Sequence, residues 1–172
     1  ALGPTLHPLL AEYARALAED GAQAQAEILP SLTDVLATMT GEAIDTGLPA
    51  RFQPLRPHVR VVAEWAEAAD LENAGTLWNN LGYHLRMVAD YAGARASYER
   101  ALRIDEAVYG PHHPNVARDV NNLGLVLKEL GDLAGARASL ERALRTFKKF
   151  LPSDHPNIDV VRGNLAALSD DG

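Results

Sequence analysis

The side chains that invite a chemical reading come as doublets and at helical spacing. Asn79-Asn80 and Asn121-Asn122 each lead into Leu-Gly. Thr76, Asn79, Asn80 and Tyr83 fall at i, i+3, i+4 and i+7, which is one face of a helix. Asn is a poor residue for a helix interior, so a recurring pair there asks for a purpose. An amide both donates and accepts hydrogen bonds, which suits gripping an extended peptide backbone. Arg86, Arg118 and Lys128 add cations that pair with carboxylates. The plainer alternative is that one Asn of each pair bonds the neighbouring segment or caps a turn. The sequence leaves both readings open.

Other candidate chemistry is thinner. There is no cysteine, which removes disulfides and thiolate metal sites. A metal would need three or four convergent ligands, and His112, His113 and His155 (with Asp154 beside the last) read instead as turn and N-cap residues. His84 has no evident partner. No Ser stands in a nucleophile-elbow setting, and Asp105-Glu106 and Asp170-Asp171 read as solvated surface. Trp65, Trp78 and Tyr98 invite an aromatic cage, but their helical spacing reads first as packing. No catalytic residue, cofactor or metal is expected.

The elements that must position these side chains are written twice. Residues 79–120 and 121–162 agree at 20 of 42 positions, and a third copy begins at Gly163-Asn164-Leu165-Ala166. A fixed period of this length marks a stacked repeat. Leu77, Trp78, Leu81, Leu85 and Val88 predict a helix over about 74–88. Asp90 can cap the next helix, whose apolar face is Ala94, Tyr98, Ala101, Leu102 and Val108. The second copy repeats this with Val120, Leu123, Leu127 and Leu130, then Ala136, Leu140, Ala143, Leu144 and Phe147. Gly82 and Gly124 are costly inside helices and predict close helix contact. Gly110-Pro111 and Leu151-Pro152 end the second helices, and Pro114 and Pro156 start the next ones. A last helix over about 157–168 and the polar Ser169-Asp170-Asp171-Gly172 cap the stack.

Residues 1–72 are less regular. Amphipathic helices are expected over 5–20 and over about 22–45; Pro30 either kinks the second or splits it, with Ser31 as the new cap. Thr46-Gly47-Leu48-Pro49 stops that helix, and another begins near Pro57. The net charge of −7 sits wholly in this part, with four Arg against eleven Asp and Glu. Residues 73–172 balance at twelve of each sign, so no basic footprint for nucleic acid exists. No apolar run reaches the ~18 residues of a membrane span. The Arg-over-Lys bias suggests a high-GC bacterial source, and the opening Ala1-Leu2-Gly3-Pro4 suggests a piece of a longer cytoplasmic protein.

Trp78-x2-Leu81-Gly82, followed by Tyr91-x2-Ala94-x3-Tyr98-x2-Ala101, resembles the tetratricopeptide repeat. Its period of 42 and its Tyr-Gly-Pro-x-His-Pro-Asn segment are similar to the kinesin-light-chain type. The resemblance implies an all-α, right-handed superhelical solenoid of antiparallel helix pairs, made of residues 73–172 behind an irregular helical segment over 1–72. It implies a non-catalytic module that binds a protein or extended peptide on its concave face. The residues it places in that groove are Thr76, Asn79, Asn80, Tyr83, Arg86, Arg118, Asn121, Asn122, Leu125, Lys128 and Asn164. The alternative is a module for self-assembly or intramolecular docking with an empty groove. Leu6-His7-Pro8-Leu9-Leu10 and Thr46-Gly47-Leu48-Pro49-Ala50-Arg51-Phe52 resemble the region that joins a nucleotide-binding module to its repeats in bacterial STAND ATPases of the NB-ARC type. That resemblance implies a sensing region of a signalling protein whose nucleotide-binding domain lies outside these residues.

Overall fold

Local signals set the helices before packing does. The computed structural model describes residues 8, 12, 13, 16, 21–47 and 49–169. The helix expected over 5–20 falls mostly outside them, as do Asp170 and Asp171, but Tyr13 is buried with its ring 4.9 Å from that of Trp65. The first long helix, α1, spans Leu29–Asp45. Ahead of it the chain is helical over Gly21–Gln23 and widens to a π-helix over Ala24–Ile28. Pro30 therefore neither kinks α1 nor is followed by a new cap: it sits in the first turn, where its missing N–H is no loss. Ile28, not Ser31, holds the N-cap position, and the π-widening absorbs the irregularity.

A short helix α2 (Pro49–Phe52) turns the chain into α3 (Arg56–Ala68), with Pro57 in its first turn. The repeats follow as α4 (Ala74–Met87) and α5 (Tyr91–Tyr109), then α6 (Pro114–Glu129) and α7 (Leu133–Phe150), then α8 (Pro156–Ser169). Asp90 and Asp132 cap the second helix of each pair by accepting from the Gly93 and Gly135 N–H at 3.0 and 2.8 Å. His113 and His155 stand just ahead of α6 and α8, each accepting at Nδ1 from the amide two residues on, at 3.2 Å. These are the turn duties expected of them.

Each helix pair closes by the same device. The N–H of Asp90 bonds Leu85 O and that of Ala89 bonds Arg86 O, a Schellman closure. One period later, Asp132 bonds Leu127 O and Gly131 bonds Lys128 O. The residue at the bend is left-handed in both, with φ of 61° at Ala89 and 82° at Gly131. The sequence thus puts Gly at one of two equivalent bends and Ala at the other.

Packing follows the pairs. The most extensive contacts join α4 to α5 and α6 to α7; α5 to α6, α3 to α4, α7 to α8 and α1 to α4 come next. One core gathers Phe52, Val59, Leu77, Trp78, Leu81 and Tyr98, among others, and a second gathers Val116, Val120, Leu140, Phe147, Ile158 and Val161. Three residues expected on the apolar faces are instead exposed: Val88, Val108 and Leu130. Each lies in the last turn of its helix or just past it. The result is an all-α solenoid of antiparallel helix pairs, onto which the 29–68 segment is stacked.

The two bends give a reciprocal test. A side chain in left-handed backbone costs about 1–2 kcal/mol. Ala89→Gly is expected to raise the urea unfolding free energy by about 1 kcal/mol, and Gly131→Ala to lower it by a similar amount.

Candidate functional site

The first helices of successive pairs, α4, α6 and α8, with α1 ahead of them, carry the residues placed in the groove. The Asn doublets do not all face outward. Asn79 is 6% exposed, and its Nδ2 donates to Asp119 Oδ1 on α6 at 2.6 Å. Asn80 turns the other way and donates to Thr40 Oγ1 on α1 at 2.8 Å. Asn121 is 8% exposed; its Nδ2 donates to Asn122 Oδ1 at 3.3 Å and its Oδ1 accepts from Asn164 Nδ2 on α8 at 3.0 Å. Lys128 Nζ donates to the Ala167 carbonyl at 3.3 Å. Three of the four asparagines thus tie one first helix to the next through side-chain partners.

Of the residues placed in the groove, those that stay half-buried are Thr76, Asn80, Tyr83 and Arg86 on α4, Arg118, Asn122, Leu125 and Lys128 on α6, and Asn164 on α8. The Arg86 guanidinium lies over the Tyr83 ring, 5.5 Å from its centroid. The charge here is one-sided. α4 contains no acidic residue, and the acids of α6 are the buried Asp119 and the exposed Glu129 at its end.

Two buried groups were not evident as such in the sequence. His84 is 1% exposed, stacked on Phe52 at 4.5 Å, with Nε2 3.1 Å from Gln53 Oε1. Burial first, then the nearby Arg56 charge, hold its pKa below the ordinary histidine value, so the ring is neutral near pH 7. Asp105, read as solvated surface, is in fact buried on α5 and faces the buried Asp119. Burial raises the pKa of both carboxyls. The period held the missing signal. One repeat away, His84 corresponds to Val126, Asp105 to Phe147 and Asp119 to Val161. Polar residues on an otherwise apolar position are the ones to inspect.

Trp78 and Tyr98 are core residues, with the Arg100 guanidinium 4.3 Å above the Trp78 ring, and Trp65 packs on Tyr13. Among the described residues no three His, Asp or Glu side chains group as a metal site, and no helix is long and apolar enough to cross a membrane.

Stacked antiparallel pairs with a small residue at each contact define a helical-repeat protein-interaction scaffold. Residues 73–149 match the family model described as tetratricopeptide repeat. Among solved structures, BtubC (BKLC) from P. vanneervenii is similar, with a TM-score of 0.55 and 18% identity over 98% of this chain and 84% of that one. At that identity the likeness concerns the fold. No curated protein matches the chain.

Removing one member of a buried hydrogen-bonded pair leaves the other unpaired, at a cost of about 1–3 kcal/mol. Asn79→Ala is therefore expected to lower the urea unfolding free energy by that amount. For His84 the sign follows from its depressed folded-state pKa. Below the unfolded histidine value of about 6.5 the unfolded chain binds a proton that the folded chain refuses. Stability from this group is present above that pH and is lost as pH falls below it. The difference in urea midpoint between wild type and His84→Val, the residue found one repeat later, is expected to shift against the wild type on going from pH 7.5 to 5.

Proposed function

We propose that the half-buried face of α4 and α6 binds an extended, acidic segment of a partner protein, and that these repeats form the ligand-sensing part of a larger signalling protein. The observation that carries the binding reading is the charge on that face. Arg86 and Lys128 sit on helices whose only exposed acid is Glu129, in a chain of net charge −7, whereas Arg118 is paired with Asp105 and Asp119. Basic groups gathered on one face of an acidic protein favour an acidic ligand and speed its encounter. Between the cations, Asn122 accepts from Asn121 at Oδ1, which leaves its Nδ2 to donate to a peptide carbonyl. Leu125 and Tyr83 supply apolar contact beside it. Asn79 and Asn121 take a supporting role here: their amides fix the spacing of α4, α6 and α8, and so the spacing of the groups that meet the ligand.

Fluorescence anisotropy with labelled acidic, neutral and basic decapeptides tests this. The acidic set is expected to bind, more weakly at high salt. Arg86→Glu with Lys128→Glu is expected to weaken binding by about tenfold or more. Equal binding of basic peptides, or indifference to the charge reversals, would sink the reading.

A further inference from the structure

The junction where α5 and α6 meet carries two carboxylic acids at positions that are apolar elsewhere in the same chain. Asp105 on α5 is 2% exposed and Asp119 on α6 is fully buried. Forty-two residues earlier the equivalent positions hold Ala63 and Leu77, and forty-two later Phe147 and Val161, all four buried.

The two carboxyls are within hydrogen-bonding reach of each other. Asn79 donates to Asp119 Oδ1 at 2.6 Å; Arg118 Nη2 lies 3.4 Å from that oxygen and 3.7 Å from Asp105 Oδ2. Asp119 Oδ2 is buried, and no amide, guanidinium or hydroxyl reaches it. Gly75 on α4 completes the fit, because a Cβ there would collide with Asp105 Oδ1.

Two carboxylates side by side in a low-dielectric setting do not both ionise. A proton between them turns repulsion into an O–H···O⁻ hydrogen bond and supplies the donor that Asp119 Oδ2 lacks. The pair then carries one negative charge, which the one positive charge of Arg118 offsets.

We propose that this junction is held closed by a single proton shared between Asp105 and Asp119, and that loss of the proton opens it ahead of the rest of the stack. The charged and titratable groups around the pair act in both directions. Arg118 on α6 and His113 just before it favour ionisation of Asp105, whereas Glu72 ahead of α4 opposes it. Tyr98 on α5 faces Asp119, and Tyr109 at the end of α5 donates to Glu72 at 2.7 Å.

The sign of the pH dependence is fixed by the proton count. The unfolded chain releases both protons near the ordinary carboxylate value of about 4, and the folded chain keeps one well above it. Stability from the pair is therefore greatest in acid. It falls with rising pH, by up to about tenfold in the unfolding constant per pH unit, until the folded pair also ionises.

Three proteins test this in urea unfolding series from pH 5 to 9: the wild type, Asp119→Asn, and the double variant Asp105→Ala with Asp119→Val. The double variant carries residues this chain itself uses at the equivalent positions. In Asp119→Asn the introduced amide would donate to an ionised Asp105, mimicking the shared proton permanently. The wild-type midpoint is expected to fall relative to both variants as pH rises, and amide exchange in α5 and α6 to quicken relative to α7. The slope from His84 has the opposite sign, is common to all three proteins, and cancels in the difference. Parallel pH profiles would overturn the proposal. So would carboxyl carbon resonances of Asp105 and Asp119 in the wild type that both titrate in the ordinary range. That last measurement needs no variant to fold.

Discussion

Within each repeat the two helices come so close that a methyl group between them would force a neighbour to shift. A Cβ on Gly82 would lie 2.9 Å from the ring of Tyr98, and one on Gly124 3.0 Å from Leu140 Cγ. These glycines weaken helix propensity by about 0.5–1 kcal/mol each, and the close approach they permit lets a large side chain cover the backbone of the facing helix. Everything else in the stack depends on that contact. With α4 locked to α5 and α6 to α7, each pair is a rigid plate with two outer edges. The remaining question for the chain is how plates join.

The joins are of two kinds, and they differ in what they specify. Across the second helices, Arg100 reaches Glu64 at 3.8 Å and Arg142 reaches Glu106, the same ion pair one period apart. Such pairs are a third or more exposed, and pairs of this kind contribute about 0–1 kcal/mol. They recur because the repeat recurs, and they do not distinguish one join from another. The buried contacts do. Asp105 and Asp119 meet beside Asn79 at one join, whereas Phe147 and Val161 take the same positions at the next. A buried polar cluster tolerates only the register in which its donors and acceptors meet, whereas an apolar patch accepts small slips.

How much of this was legible depended on whether a residue obeyed the repeat. The helix pairs, the caps at Asp90 and Asp132, the turn roles of His113 and His155, and the small residues at the contacts all follow from spacing and from the chemistry of helix ends. The departures followed from nothing local. Ser31 looked like a cap because Pro30 precedes it, but a π-widened stretch one turn earlier took up the strain. Asp105 looked like surface because it stands beside Glu106 in a charged run, yet it lies under Gly75, and only the fold brings those two together. The Asn doublets were legible as special but not as divided. Helical spacing gives Asn79 and Asn80 a common face, while the packing of α6 on one side and α1 on the other sends their amides in opposite directions.

That division bears on how such a module recognises a partner. An amide bonded between helices is held in place and cannot turn to meet a ligand, so the asparagines that look most like a reading head are mostly structure. The groups that remain available, Arg86, Asn122, Leu125 and Tyr83, are fewer and less periodic than the doublets. A repeat scaffold must keep its joins constant to stay stacked, so the residues that set its selectivity are the ones free to differ from copy to copy. In this chain Tyr83 corresponds to Leu125 and Arg86 to Lys128: the charge is kept and the aromatic ring is not.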